Sequence, residues 1–313
     1  MSFVRNLGFL REAKLRQELI AGGFDLDSFL NTYKRYFKLT RLDKPVGILL
    51  LMWPTLWALF IASQGFPDIS ILIIFVLGVI FMRSAGCIAN DIIDMNFDKD
   101  VSRTKDRMLA NKKVSLQEAV ILMLGFLAVS GSLLFSLNSQ TIGLALGALA
   151  LTLTYPFFKR FFLFPQAILG IAFGFGILMA FSEIKGVIEP VGWTLFIANF
   201  FWAIAYDTIY ALSDIEDDKR IGLKSSAITL GANVGLGIYI FHSIFLLVMI
   251  APIAVMKTGV IYGFFWFLAA LYSYYLLKNL SLSNVNYQSL FQKNQRVGAI
   301  LFLGIFLDFG VQF

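Results

Sequence analysis

Residues 69–100 read "ISILIIFVLGVIFMRSAGCIANDIIDMNFDKD". The first two-thirds are almost wholly apolar, close to the ~20 residues an α-helix needs to cross the hydrocarbon core of a bilayer. The run ends in four aspartates, Asp91, Asp94, Asp98 and Asp100, within the eleven residues 90–100. Carboxylates are costly beside lipid unless they are paired. A membrane-crossing helix that delivers acids to one surface is therefore the first expectation, and the partner of those acids is the first question.

The rest of the chain agrees. Of 313 residues 58% are hydrophobic and 15% charged, with a mean hydropathy of +0.76, whereas a soluble domain carries about 25% charged residues. Backbone groups in lipid must be satisfied within the segment, so long apolar runs become helices; the short alternating strands of a β-barrel are missing. The fold class expected is all-α and polytopic. One cysteine, Cys87, excludes a disulfide framework and a cysteine-built metal site. The opening "MSFVRNLGFLREAKLRQELIAGG" lacks the apolar core of a cleaved signal and suits an amphipathic helix on an anionic membrane surface. Glu12 and Glu18 argue against a mitochondrial presequence.

Nine spans are expected, at about 46–62, 69–90, 116–136, 139–157, 163–182, 191–213, 233–255, 258–277 and 297–313. Of the 26 lysines and arginines, all but Arg83, Lys185 and Lys257 then fall on one side. The positive-inside rule makes that side cytoplasmic, with the N-terminus inside and the C-terminus outside. The chain divides into an interfacial segment, 1–40, and a nine-helix domain, 41–313, around a central cavity with a cytoplasmic loop cap. The bacterial inner membrane is the preferred location.

A second acidic cluster, "DIEDDKR" at 214–220, falls on the same side four spans later. Helix residues four apart share a face at roughly 6 Å. Asn90, Asp94 and Asp98 share one such face with Asp91 beside it; Asp214 and Asp218 share another, continued upward by Asp207 and Tyr210. Crowded acids repel, and Mg²⁺, which prefers oxygen ligands shared with phosphates, relieves them. Arg103, Lys105, Arg107, Lys219, Arg220 and Lys224 stand ready for phosphate oxygens. A solvated acidic loop explains one such cluster, but explains two on one side poorly.

"NDIIDMNFDKD" and "DIEDD" resemble the NDxxDxxxD and DxxxD motifs of the UbiA superfamily of intramembrane prenyltransferases. "RLDKPVGILLLMWPTLWALFIA", "YPFFKRFFLFPQAILGIAFG", "AYDTIYALSDIEDDKRIGLKSSAI" and "VGAILFLG" are similar to segments of its ubiquinone-pathway branch, which prenylates 4-hydroxybenzoate. The similarity runs from about Arg41 onward. It implies polyprenyl diphosphate and 4-hydroxybenzoate as substrates and Mg²⁺ as cofactor, with metal and diphosphate positions at Asn90, Asp91, Asp94, Asp98, Asp214 and Asp218. "YPFFK" resembles the family's YxxxK element, which implies that Tyr155 and Lys159 touch the diphosphate or the reacting centre. Arg160 matches the basic position assigned to the aromatic acid's carboxylate. Relatives follow the first motif with a segment like RTxxRPLPSG; here "RTKDRMLANKKVS" keeps Arg103 and Arg107 but has Met108 in place of the proline.

In that reading the loops bind the charged head of the donor and the lipid-facing bundle takes its chain. The 33 Phe, 11 Tyr and 5 Trp offer π faces for an allylic cation. Besides Arg160, Arg41 and Arg83 are candidates for the acceptor's carboxylate; an arginine inside a span is expensive unless it faces the interior. Asp207, also within a span, pairs with such a cation or assists proton removal. Tyr210 and Lys219 are placed at the substrate, while His242 is read as structural. Other acceptors (homogentisate, a naphthoate, haem) are the nearest alternative. A divalent-cation channel is the remote one, and the far side offers it only Asp68, Glu183, Glu189 and Asp308, scattered. Nucleic acid is not an expected partner, and no protein partner is legible.

Overall fold

The computed structural model describes residues 25–281 and 285–310, so the expectation for 1–24 lies outside the described residues. Among the described residues there is no strand. The elements are α1 (Leu26–Leu39), α2 (Val46–Ser63), α3 (Ile69–Ile93), α4 (Leu116–Leu134), α5 (Ser139–Phe158), α6 (Pro165–Lys185), α7 (Pro190–Ala211), α8 (Ile215–Ile221), α9 (Ser226–Leu230), α10 (Val234–Val248), α11 (Val260–Lys278) and α12 (Tyr287–Gly310). Prolines open α6 and α7 and Gly186 ends α6 in the left-handed conformation, as expected where a donor is dispensable and where a β-carbon would clash.

Seven of these stretches are long and apolar enough to cross a membrane: α2 to α6, Ser226–Val255 and α11; α7 qualifies only together with α8, to which it is bent by 83°. The expected count of nine is thus met to seven or eight. α12 is the exception because it starts at Tyr287, ten residues before the expected boundary, and its first turns, "YQSLFQKNQR", are polar.

Association in lipid rests on close packing at small residues more than on hydrophobic burial. α6 lies against α7, α2 and α5, and α12 against α11, α2 and α7. At the centre Trp202 sits between Trp57 and Phe245, with ring centroids 5.4 and 5.3 Å away. Gly298 admits α12 to this stack: a β-carbon there would come within 2.7 Å of both Trp202 and Trp53. Trp57 Nε1 donates to its carbonyl at 3.1 Å.

At the end of the bundle away from the aspartate clusters the acids are structural. Asp68 accepts from Ser70 N–H at 2.7 Å and starts α3. Asp308, fully buried, accepts from the N–H groups of Thr258 and Tyr262 (2.9 and 3.1 Å) and closes the start of α11. Glu183 accepts from Asn138 N–H at 3.0 Å. These acids are consumed by helix ends and line no path across the membrane.

Candidate active site

Both acidic clusters sit where a helix stops. Asp94 is the C-cap of α3, its N–H bonded to Asn90 O at 2.9 Å; the chain then turns, with the N–H groups of Phe97 and Asp98 both reaching Asp94 O (2.9 and 2.8 Å) and residues 98–100 forming a 3₁₀ turn. The expectation of one helical face through Asp98 is therefore corrected: asparagine and aspartate side chains favour turns, and the helix ends five residues early. The Asp98-to-Asp94 bond nevertheless keeps Asp98 one turn from Asp94. Likewise α7 stops at Ala211 and the chain bends into α8, with Asp214 at the start of α8 and Asp218 N–H bonded to its carbonyl at 2.8 Å. The stripe from Asp207 and Tyr210 does not run straight into Asp214 and Asp218; the bend intervenes.

The two segments are laced together. Arg103 forks onto Asp214, Nε to Oδ1 at 2.7 Å and Nη2 to Oδ2 at 2.5 Å. Its Nη1 donates to Tyr210 Oη, and its guanidinium lies 4.5 Å from the centre of the Tyr210 ring. Ser102 N–H donates to Asp217 at 2.9 Å, and Arg220 bridges Asp217 and the carbonyl of Asp100. Asp217 belongs to the second acidic cluster of the sequence, whereas Ser102 acts through its backbone N–H, which carries no sequence signal. Met108 is buried with Leu39, Ile88, Leu109 and Val114, while Thr104 holds the carbonyl of Asp98 at 3.0 Å. An apolar cluster and this hydrogen bond fix the turn.

Asp91 is nearly fully buried and doubly paired: Arg41 Nη2 lies 2.8 and 2.9 Å from its two oxygens and Arg107 Nη1 at 3.2 Å. Arg107 also holds Asp98 at 2.8 Å. Arg41 makes its contact from left-handed backbone, φ 59°, a conformation that costs a side-chain-bearing residue of order 1 kcal/mol. Lys159 Nζ stands 3.8 Å from Asp94 and 5.6 Å from the Tyr155 ring centre. Arg160 is exposed and lies over Phe97 at 5.1 Å and Phe157 at 5.3 Å. Burial, and then the neighbouring Asp98, push the Asp94 carboxyl above the ordinary range against the pull of Lys159. Burial pushes Asp218 up to about 6, with Asp214 adding to it and Lys159 opposing. Burial works against the charge of Arg107, but Asp91 and Asp98 more than offset it and its pKa is raised.

The five acids expected to share metal are not gathered as one group: among the described residues no three carboxylates stand together ready to hold an ion. The reason is visible in the pairs. Asp91 and Asp98 are turned to Arg41 and Arg107, and Asp214 to Arg103; Asp94 keeps only a long contact to Lys159, and Asp218 forms no salt bridge among the described residues. The donor set is oxygen only, and its two least committed members, buried Asp94 and half-buried Asp218, carry charge that a divalent cation would relieve. That chemistry fits Mg²⁺. Lys219 is not brought to the cluster: it is exposed and pairs with Glu216 at 3.7 Å.

Deeper in the bundle, Arg83 donates to Cys87 Sγ at 3.0 Å and lies 5.8 Å from the Phe173 ring centre, while its Nε is buried without a partner. A β-carbon on Gly47 would come within 2.8 Å of Arg83 Nη2, so the absent side chain is what seats this arginine against α2. Tyr155, Tyr206 and Asp207 are its electrostatic neighbours, and Tyr206 Oη is buried without a partner. His242 bonds Ser273 at 3.0 Å within the core, apart from these groups.

Three comparisons bear on this arrangement. A family model described as the UbiA prenyltransferase family matches residues 51–294. The chain is 47% identical over 292 residues to a 4-hydroxybenzoate octaprenyltransferase of Nitrosomonas eutropha, covering 90% of this chain and 99% of that one. It is 49% identical over 280 residues to the enzyme of the same name from Nitrosospira multiformis, covering 88% and 96%. Among solved structures it resembles the apo form of a UbiA homolog from Aeropyrum pernix K1, with TM-score 0.73, 27% identity and coverage of 83% and 97%. A UbiA homolog from Archaeoglobus fulgidus, described as bound to GPP and Mg²⁺, shares the fold at TM-score 0.69 and 20% identity, with coverage of 88% and 100%.

Proposed function

Because this chain belongs to the UbiA prenyltransferase family, we propose that it transfers a polyprenyl group from polyprenyl diphosphate to the ring carbon ortho to the hydroxyl of 4-hydroxybenzoate, in ubiquinone biosynthesis. The observation that carries the reading is Arg103 spanning the two motifs to Asp214 and Tyr210, which makes two distant acidic segments one site. The bundle crosses the bacterial inner membrane nine times, α7 and the apolar half of α12 included. Its N-terminus and the cap formed by 94–115 and 212–225 are cytoplasmic, and its C-terminus periplasmic.

Asp94, Asp98, Asp214 and Asp218 would hold Mg²⁺, with Asn90, one turn before Asp94, assisting. When bound, Mg²⁺ offsets the charge that grows on the leaving diphosphate. Asp91 acts as the anchor that aims Arg41 and Arg107, since its oxygens are already taken by them. Arg103, Arg107 and Lys159 bind phosphate oxygens, each exchanging a carboxylate for a phosphate. The C–O bond to the diphosphate breaks with its electron pair on the diphosphate. The ortho carbon of the acceptor then bonds to the allylic carbon beside the Tyr155 ring, and Asp207 takes the ring proton. For the acceptor carboxylate the interior geometry favours Arg83 over Arg160: the former has a buried, unpartnered Nε, whereas the latter is exposed and stacked on phenylalanines.

An acceptor panel tests this. Purified protein with Mg²⁺ and a polyprenyl diphosphate is offered 4-hydroxybenzoate, homogentisate and a dihydroxynaphthoate, with products read by mass. Product from 4-hydroxybenzoate alone is the expected result; product from another acceptor alone overturns the assignment.

A further inference from the structure

Between the start of α2 and the polar start of α12 lies a cleft of about 420 Å³, at the same end of the bundle as the aspartate segments, since Arg41 pairs with Asp91 and Phe291 packs on Tyr210. Its wall is amphipathic. Lys44 beside the start of α2 and Lys293 and Arg296 of α12 line it with a single acid, Asp43, and Val46 and Leu49 of α2 provide its apolar surface. Nothing in the transfer chemistry uses these residues. α2 is a membrane-crossing helix whose first residue is Val46, so the cleft sits where the bilayer surface meets the bundle. Trp53 Nε1, donating to Gln295 Oε1 at 3.3 Å, pins α12 beside α2 just below it.

The charges choose the ligand. Three cations against one carboxylate leave an excess of positive charge, and Pro45, the N-cap of α2, offers no side-chain cap and no acid follows in the first turn; the free N–H groups there add to the same sign. A phosphate head satisfies the cations and N–H groups, and acyl chains lie along Val46 and Leu49 into the bilayer. We propose that this cleft binds the phosphodiester head of an anionic membrane phospholipid, holding α2 and α12 together at the membrane surface. Prenyl diphosphates share the head chemistry and the chain, so the test must separate the two.

Full-length protein in dodecyl maltoside is incubated with phosphatidylglycerol or phosphatidylcholine, and the lipid retained is counted by native mass spectrometry. The variants are K44Q/K293Q/R296Q and a control with three exposed lysines neutralised elsewhere, K112Q/K113Q/K278Q. Wild type and control are expected to retain one phosphatidylglycerol in preference to phosphatidylcholine; the cleft variant should retain at least tenfold less. Geranyl diphosphate with Mg²⁺ is expected neither to displace the retained phospholipid nor to bind the cleft variant less well. Equal phosphatidylglycerol retention by the cleft variant and the control overturns the site. Displacement by geranyl diphosphate, with weakened binding of it in the cleft variant, assigns the cleft to the donor and overturns the phospholipid reading.

Discussion

Arg107 is the residue whose removal tests the pairing logic of the first acidic segment most sharply. Its Nη1 lies 2.8 Å from Asp98 and 3.2 Å from Asp91, whose side chains are 8% and 2% exposed. In R107M, Asp91 keeps Arg41 but Asp98 loses its ion pair while staying buried. Removing one partner of a buried pair costs about 3–5 kcal/mol; because Arg107 keeps 16% side-chain exposure and one acid keeps a partner, about 3 kcal/mol is expected. At ~2–4 °C per kcal/mol for larger domains, that is a fall of roughly 6–12 °C in melting temperature. Thermal unfolding in detergent, followed by tryptophan fluorescence, measures it. R220M, which breaks an exposed pair, should leave the melt unchanged, and R107M/D98N should recover most of the loss because the stranded charge is gone. If R107M melts within a degree of R220M, or the added D98N restores nothing, then the buried arginine does not neutralise these acids and the argument is wrong.

Three further outcomes are expected. R83M should lower kcat/KM for 4-hydroxybenzoate by about 10- to 100-fold, the loss of a hydrogen bond to a charged group, and should spare 4-hydroxybenzonitrile, which has no carboxylate; equal losses on both acceptors would place the carboxylate elsewhere. D308A removes the acceptor for the start of α11 and should destabilise the protein by about 1–2 kcal/mol without altering KM for either substrate, as unfolding and steady-state assays would reveal. K219Q, at an exposed side chain that pairs with Glu216, should keep wild-type kcat/KM for the donor; a tenfold loss would return Lys219 to the site.

Much of this was legible in the sequence because membrane helices write themselves in long apolar runs. The starts expected for α2, α3, α4 and α5 coincide with the observed ones, as capping residues such as Asp68, Ser115 and Asn138 mark them. α12 was misplaced because its first three turns are polar, and hydropathy registers only the lipid-facing part of a helix. The acids were found, but not how they are held. Helical spacing extended α3 through Asp98, whereas local turn bonds ended it at Ile93. Ion pairs between segments far apart in the chain, such as Arg103 with Asp214 and Arg41 with Asp91, follow from tertiary placement. Arg83 is legible as a charge inside a span, but its preference over Arg160 needs the structure, because only there does Arg83 show a buried, unpartnered Nε while Arg160 is exposed.

The central claim is that the two acidic segments form a single Mg²⁺-dependent transfer site. The most direct measurement is the rate of prenyl transfer to 4-hydroxybenzoate by wild type, D94A, D214A and the double variant D94A/D214A, with and without a chelator, on protein shown to be folded by its melt. Transfer by wild type that falls at least a hundredfold in each variant, falls no further in the double variant beyond assay background, and stops on chelation is the result expected. Transfer that survives either substitution, or proceeds undiminished with the metal removed, would contradict the claim.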